Sequence, residues 1–276
     1  MFDCFLGASI TALTDCLAAP SMVETLRSSE IMTFELDAQT FAYDYDGAVR
    51  KAFHAMLEET GKRAISFHVP FLPCDDLSSP DETVRLQALS RFRGHYAMVR
   101  EFGCKYIILH PSTEIKTCEK PEREERIRQL RRSLREIEPE LKQACLRLAL
   151  EFLPRQCIGN RLSDMESILE GFDPEIFGVC LDVNHLMNRY AEIPAIVRSL
   201  GKRLFTTHIS DYSGIDECHW LPGNGVIDWK GLVAALKETG YRGAFNYEIK
   251  LQEGALEHRV RTIENNFNWI KEMVCH

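Results

Sequence analysis

Eight short apolar runs alternate along this chain with stretches of helical spacing. The runs are 4–9, 31–36, 64–69, 105–110, 146–152, 177–183, 204–210 and 244–249. Helical spacing occupies 21–29, 47–59, 81–101, 123–143, 163–170, 194–200, 229–238 and 256–273. Strands that alternate with helices of this length predict βα units and a parallel sheet. Eight such units in 276 residues match the ~250 residues of a typical (β/α)8 barrel, so the expected fold is one α/β barrel spanning 1–276. No domain boundary, internal repeat or low-complexity segment interrupts it.

Side-chain parity sharpens the expectation, because successive strand residues face opposite sides. Thr33 and Glu35 oppose Phe34, and Ser66 and His68 oppose Ile65 and Phe67. Ala149 and Glu151 oppose Leu148 and Leu150; Cys180 and Asp182 oppose Val179 and Leu181. Thr206 and His208 oppose Phe205, and Asn246 and Glu248 oppose Phe245 and Tyr247. One face is large and apolar, suited to packing on helices. The other is small or polar and ends in an ionisable group, which is where a barrel places its active site. The inward residues are smaller than the usual Val, Ile and Leu filling.

Composition narrows the function. A net charge of -8 argues against electrostatic gripping of nucleic acid. Ten cysteines without a C-x-x-C pair read as reduced thiols in a cytoplasmic protein, several of them buried as small hydrophobes. The first residues lack a basic region followed by a long apolar one, so no signal peptide is expected. No apolar run approaches the ~20 residues of a membrane span. The charge-dense stretch 119–138 mixes both signs and predicts a solvated helix face laced with ion pairs.

Six consecutive runs end in His68, His110, Glu151, Asp182, His208 and Glu248. His185 follows Asp182 by three residues, and His219 lies in the loop after the seventh run. Any one of these alone reads as a satisfied polar side chain. The set does not, because three carboxylates in one barrel mouth would each carry a desolvation cost of several kcal/mol. Lys250 and Lys116 are the main cations nearby. A divalent metal resolves the imbalance, and carboxylates with imidazoles suit Mn, Mg, Co or Zn. The Pro222–Gly225 stretch reads as a turn shaping the mouth. Phe71 and Phe5 are candidates for an apolar wall.

Leu150-Glu151-Phe152, Cys180-Leu-Asp-Val-Asn-His185, Thr207-His-Ile-Ser-Asp211, His219-Trp-Leu-Pro-Gly-Asn-Gly225 and Tyr247-Glu248 resemble the xylose-isomerase-like TIM-barrel superfamily. That superfamily holds sugar and sugar-phosphate isomerases and epimerases of the tagatose 3-epimerase and hydroxypyruvate isomerase types, inosose dehydratase and endonuclease IV. The likeness covers nearly the whole chain. In the ketose-epimerase branch one metal is held by Glu, Asp, His and Glu, which implies Glu151, Asp182, His208 and Glu248. His185 matches a histidine that contacts substrate there. That branch also carries an arginine six residues after the strand-seven histidine, where this chain has Gly214. Endonuclease IV uses three zincs, and its pattern maps onto the same residues plus His68, His110, His185 and His219, with Glu217 in place of an Asp.

The resemblance implies a metal-dependent sugar or sugar-phosphate isomerase or epimerase. Glu151 and Glu248 would move protons on either side of an enediolate. His185 would steady the developing oxyanion, and Glu35, His68, His110, Asp211 and His219 would hold hydroxyls or further ions. The alternatives are a multi-zinc phosphodiester hydrolase with two or three zincs, an inosose-type dehydratase, and a sugar sensor with a degenerate site. A small-molecule sugar is the expected partner; related barrels commonly pair, so a homodimer is the oligomer to look for.

Overall fold

Strand β1 (Phe5–Ser9) pairs in parallel with β2 (Thr33–Asp37) on one side and β8 (Ala244–Tyr247) on the other, which closes the sheet. Between them run β3 (Arg63–His68), β4 (Tyr106–Leu109), β5 (Arg147–Glu151), β6 (Phe177–Asp182) and β7 (Leu204–Ile209), all parallel. This is the expected (β/α)8 TIM barrel. The computed structural model describes residues 3–17, 21–42, 44, 47–114, 119–251 and 254–273. Lys116 therefore lies outside the described residues.

Helices ring the barrel: α1 (Met22–Ser28), α2 (Ala48–Thr60), α3 (Glu82–Gly94), α4 (Tyr96–Glu101), α5 (Lys120–Ala144), α6 (Leu162–Leu169), α7 (Ile193–Leu200), α8 (Trp229–Glu238) and α9 (Leu256–Met273). The helix expected over 81–101 is broken between α3 and α4, where Gly94 weakens the helix by roughly 1 kcal/mol relative to alanine. In α5, Leu130, Leu134, Ile137 and Leu141 recur at helical spacing and are buried. Its charged face forms ion pairs as expected, among them Arg126–Asp76 and Arg132–Glu82. Arg123 departs from that pattern: it is buried and clamps Asp164 and Asn160 beside α6. Among the described residues no helix is long and apolar enough to cross a membrane.

Outward strand residues Phe34, Phe67, Leu148, Leu150, Val179, Leu181, Phe245 and Tyr247 are all fully buried under these helices. Each such side chain contributes roughly 1.5–3 kcal/mol relative to exposure. Two residues break the expected parity. The β2–β3 register slips between Phe34 and Glu35, and the β6–β7 register slips between Val179 and Cys180, leaving Ile65 and Phe205 as extra residues. A bulge of this kind bends the strand and re-aims side chains. Both residues pack with Tyr106, Ile108, Ala149 and Cys180 rather than with the helix-facing core. The Phe205 ring stands 5.7 Å from that of Tyr106. It occupies the space beside Gly178, where a Cβ would come within 2.6 Å of it. Large residues from β4 and two bulges thus fill the barrel floor, which explains why the remaining inward positions can be small.

Candidate active site

The C-terminal strand ends bring the sequence-selected residues together. Glu151 and Asp182 end β5 and β6, His208 lies on β7, and Glu248 follows β8 directly. One ligand atom from each of these four lies within 4.8 Å of the others. His68 ends β3 and His110 follows β4, and both rings reach Glu151 Oε2, with Nε2 at 2.9 and 3.1 Å. His185 stands in the short helical turn after β6. Its Nδ1–H donates to the Phe152 carbonyl at 2.8 Å, and its Nε2–H donates to Glu217 Oε2 at 2.9 Å. His219 sits in the left-handed region at φ 53°. Its Nδ1–H donates to the Glu248 carbonyl, and Nε2 lies 3.8 Å from Glu217.

The electrostatics are those of a concentrated, buried charge cluster. Burial pushes Asp182 up to about 7. Burial also works against charge on Glu151, but His110 and His208 outweigh it and hold that carboxylate well below its ordinary range. Glu248 is held low in the same way, chiefly by His208. Burial disfavours charge on His68 and His185, yet carboxylate neighbours prevail and raise them to about 9 and about 10. For His110 burial dominates and lowers it, against the pull of Glu151 Oε2 at 3.1 Å. Glu217 is depressed by its hydrogen bond from His185 and by the nearby His219 ring.

Four buried atoms in this cluster lack a hydrogen-bond partner: Asp182 Oδ2, Glu248 Oε2 and both ring nitrogens of His208. His208 Nδ1 approaches Glu248 Oε2 at 3.0 Å and Glu151 Oε1 at 3.4 Å, but neither contact is aligned as a hydrogen bond. Orphaned acceptors converging on one point are costly unless a cation sits among them. Three carboxylates and one imidazole form a donor set that suits a divalent metal. Two further groups could hold an ion: His68, His110 and Glu151, and His185, Glu217 and His219.

Above the cluster the mouth opens into two adjoining lobes. One, of about 260 Å³, is lined by His110, Glu151, Arg155, His185 and Glu217. The other, of about 430 Å³, is lined by Ser9, Thr11, Asp37, Gln39 and Arg259. His68, Phe71, His219, Glu248 and Lys250 border both. Phe71 stacks on His110 with ring centroids 4.3 Å apart and forms the apolar wall; Phe5 lines neither lobe.

Two of the sequence-selected acids have protein partners of their own. Asp211 is occupied within its own loop. Its buried carboxylate accepts the backbone N–H groups of Tyr212, Gly223 and Ile227 and the Trp229 indole N–H, and so shapes the loop after β7. Glu35 lines the larger lobe, 1% exposed, with its carboxylate against Ser66 and His208. The 222–225 stretch is a turn, and Gly225 packs so closely on Asp211 and Tyr212 that no side chain fits there. Gly214 has φ 81°, and a Cβ there would lie 2.8 Å from the Tyr190 ring, so the local backbone leaves no room for the epimerase-type arginine. Sequence reasoning missed Arg155, whose guanidinium pairs with Glu217 at 2.7 Å, Asp216 at 3.0 Å and Glu114 at 3.6 Å. Nothing in Leu153-Pro154-Arg155 marks it; three separate loops must meet before it has partners.

Residues 23–273 match the family described as xylose isomerase-like TIM barrel. The chain belongs to this family. Inosose isomerase of Bacillus subtilis is 26% identical over 180 residues, covering 61% of this chain and 62% of that protein. The matched segments thus span less than two thirds of the curated relatives' own length. Among solved structures, a D-tagatose 3-epimerase-like protein superposes with a TM-score of 0.79 at 19% identity, covering 98% of each chain. The IOLI protein, solved with a zinc atom, gives a TM-score of 0.79 at 18% identity over 98% of this chain and 99% of that one. At these identities the family's barrel is what the structural likeness shows.

Proposed function

We propose that the protein is a divalent-metal-dependent isomerase or epimerase of a sugar or sugar phosphate, acting in the cytoplasm as one barrel domain. The observation that carries this reading is the convergence of ligand atoms from Glu151, Asp182, His208 and Glu248 at the barrel mouth. These four residues would hold the metal. When bound, it supplies Lewis-acid polarisation of a substrate carbonyl and offsets developing negative charge. Glu151 and Glu248 come from strands well apart around the barrel. One takes the proton from the carbon beside the carbonyl, giving an enediolate. The other returns a proton to the opposite face for epimerisation, or to the neighbouring carbon for isomerisation. His185, held at Nδ1 by Phe152, lines the same lobe and would donate its Nε2–H to an oxyanion in exchange for Glu217. The names of the relatives support this class: an inosose isomerase and a D-tagatose 3-epimerase-like protein.

The test is turnover on a panel of ketoses and sugar phosphates. Glu151→Gln and Glu248→Gln are each expected to lower kcat by about 10²–10⁴-fold. Near-full turnover in both variants would refute the proton-transfer scheme.

A second reading rests on the two flanking groups, His68–His110–Glu151 and His185–Glu217–His219. Together with the first they supply donors for two or three zincs, as a phosphodiester hydrolase of the endonuclease IV type requires. Nicking of abasic-site DNA without ketose turnover would favour it. Loss of water from a polyol-derived ketone would point instead to an inosose-type dehydratase.

A further inference from the structure

We infer that Glu35 is a positioning residue for the cation site: it orients the His208 imidazole so that Nδ1 faces Glu151, Asp182 and Glu248. This inference rests on the metal site proposed above.

Glu35 reaches across the barrel interior from β2 to β7. Its Oε1 lies 2.7 Å from His208 Nε2, with the two side chains 1% and 0% exposed. Its Oε2 accepts the Ser66 hydroxyl at 2.7 Å. The opposite edge of the same ring looks the other way. His208 Nδ1 is 3.0 Å from Glu248 Oε2, 3.4 Å from Glu151 Oε1 and 3.8 Å from Asp182 Oδ2. The two ring nitrogens therefore have separate tasks. One faces the converging donors; the other faces a single buried carboxylate.

An imidazole that offers one nitrogen to a metal carries its proton on the other, and the acceptor of that proton sets both tautomer and ring orientation. Glu35 occupies the acceptor's place. The Nε2···Oε1 contact is within reach of the Nε2 proton at 2.7 Å, though not aligned as a hydrogen bond. The backbone prepares it. The extra residue Ile65 on β3 brings Ser66 opposite Glu35, and such a bulge re-aims the side chain that follows it, here the Ser66 hydroxyl. A carboxylate this deeply buried with one hydroxyl as its only partner would be strongly unfavourable. Facing His208 relieves that, and ties the carboxylate to the cation site.

The experiment is calorimetric titration of Mn²⁺ alone into metal-stripped full-length protein, with no substrate. The proteins compared are wild type, Glu35→Gln, Ser66→Ala and Asp182→Asn, each checked by circular dichroism and apo thermal midpoint. Glu35→Gln preserves shape and is expected to keep the apo fold while Mn²⁺ affinity falls by about 10–100-fold. Ser66→Ala, which frees the other carboxylate oxygen, is expected to lose affinity in the same direction by less. In Zn²⁺-loaded wild type, ¹⁵N shifts are expected to show His208 protonated at Nε2. Wild-type Mn²⁺ affinity in folded Glu35→Gln would overturn the inference and leave the metal site standing. Should Glu35→Gln fail to fold, unchanged affinity in Ser66→Ala together with His208 protonated at Nδ1 would overturn it. Wild type and Asp182→Asn that both ignore Mn²⁺ would remove the site itself, and this inference with it.

Discussion

Glu35 and Asp211 are both acidic, both buried and both near the mouth, and they serve different partners. Glu35 meets Ser66 and His208 from the adjoining and the facing strand. Asp211 gathers donors from residues 212, 223, 227 and 229, so that its carboxylate acts as the hub of one loop. An acidic residue in sequence does not declare which of these it will do, since the partners are fixed only when distant segments meet. The strand-end acids and histidines are different: their place follows from position alone. Asp211→Ala would strand a buried indole N–H and several backbone donors at about 1–3 kcal/mol each if unrelieved. The expected result is a loss on the order of 3 kcal/mol of stability, read by denaturant unfolding, with metal content of the folded protein unchanged. A variant of wild-type stability that had lost its metal would place Asp211 back in the site.

At the scale of elements, period-two alternation made the strands legible, and the ionisable residue closing each run marked the end that forms the mouth. His68, Glu151, Asp182 and His208 all lie on their strands, with His110 and Glu248 one residue beyond theirs. The bulges were not legible. Phe205 and Ile65 look outward by alternation, and they turn to the barrel floor because neighbouring strands pair out of step with them. Register is a property of two strands, so one strand's pattern cannot contain it. Phe205→Ala would leave a cavity beside Gly178 and Tyr106. The expected cost is about 3–5 kcal/mol, measured as a fall in unfolding free energy, with the metal site retained. A loss below about 1 kcal/mol would mean the floor collapses onto the space or that Phe205 does not fill it.

For the whole molecule, closure of β1 on β8 gathers residues more than a hundred positions apart into one charge cluster. The chain is acidic, at -8, and three of its carboxylates converge where water is scarce. The family and the barrel were legible because the motifs recur at the same strand ends; the substrate was not, because the lobes are lined by loop residues such as Thr11, Gln39, Arg155 and Lys250. The central claim is that a divalent metal completes this cluster. The most direct measurement is elemental analysis of wild type and Asp182→Asn, purified without chelator or metal-affinity tag. About one Mn, Mg, Co or Zn per chain in wild type, lost from the variant, is the predicted result. No metal in the wild type, or metal undiminished in Asp182→Asn, would contradict it.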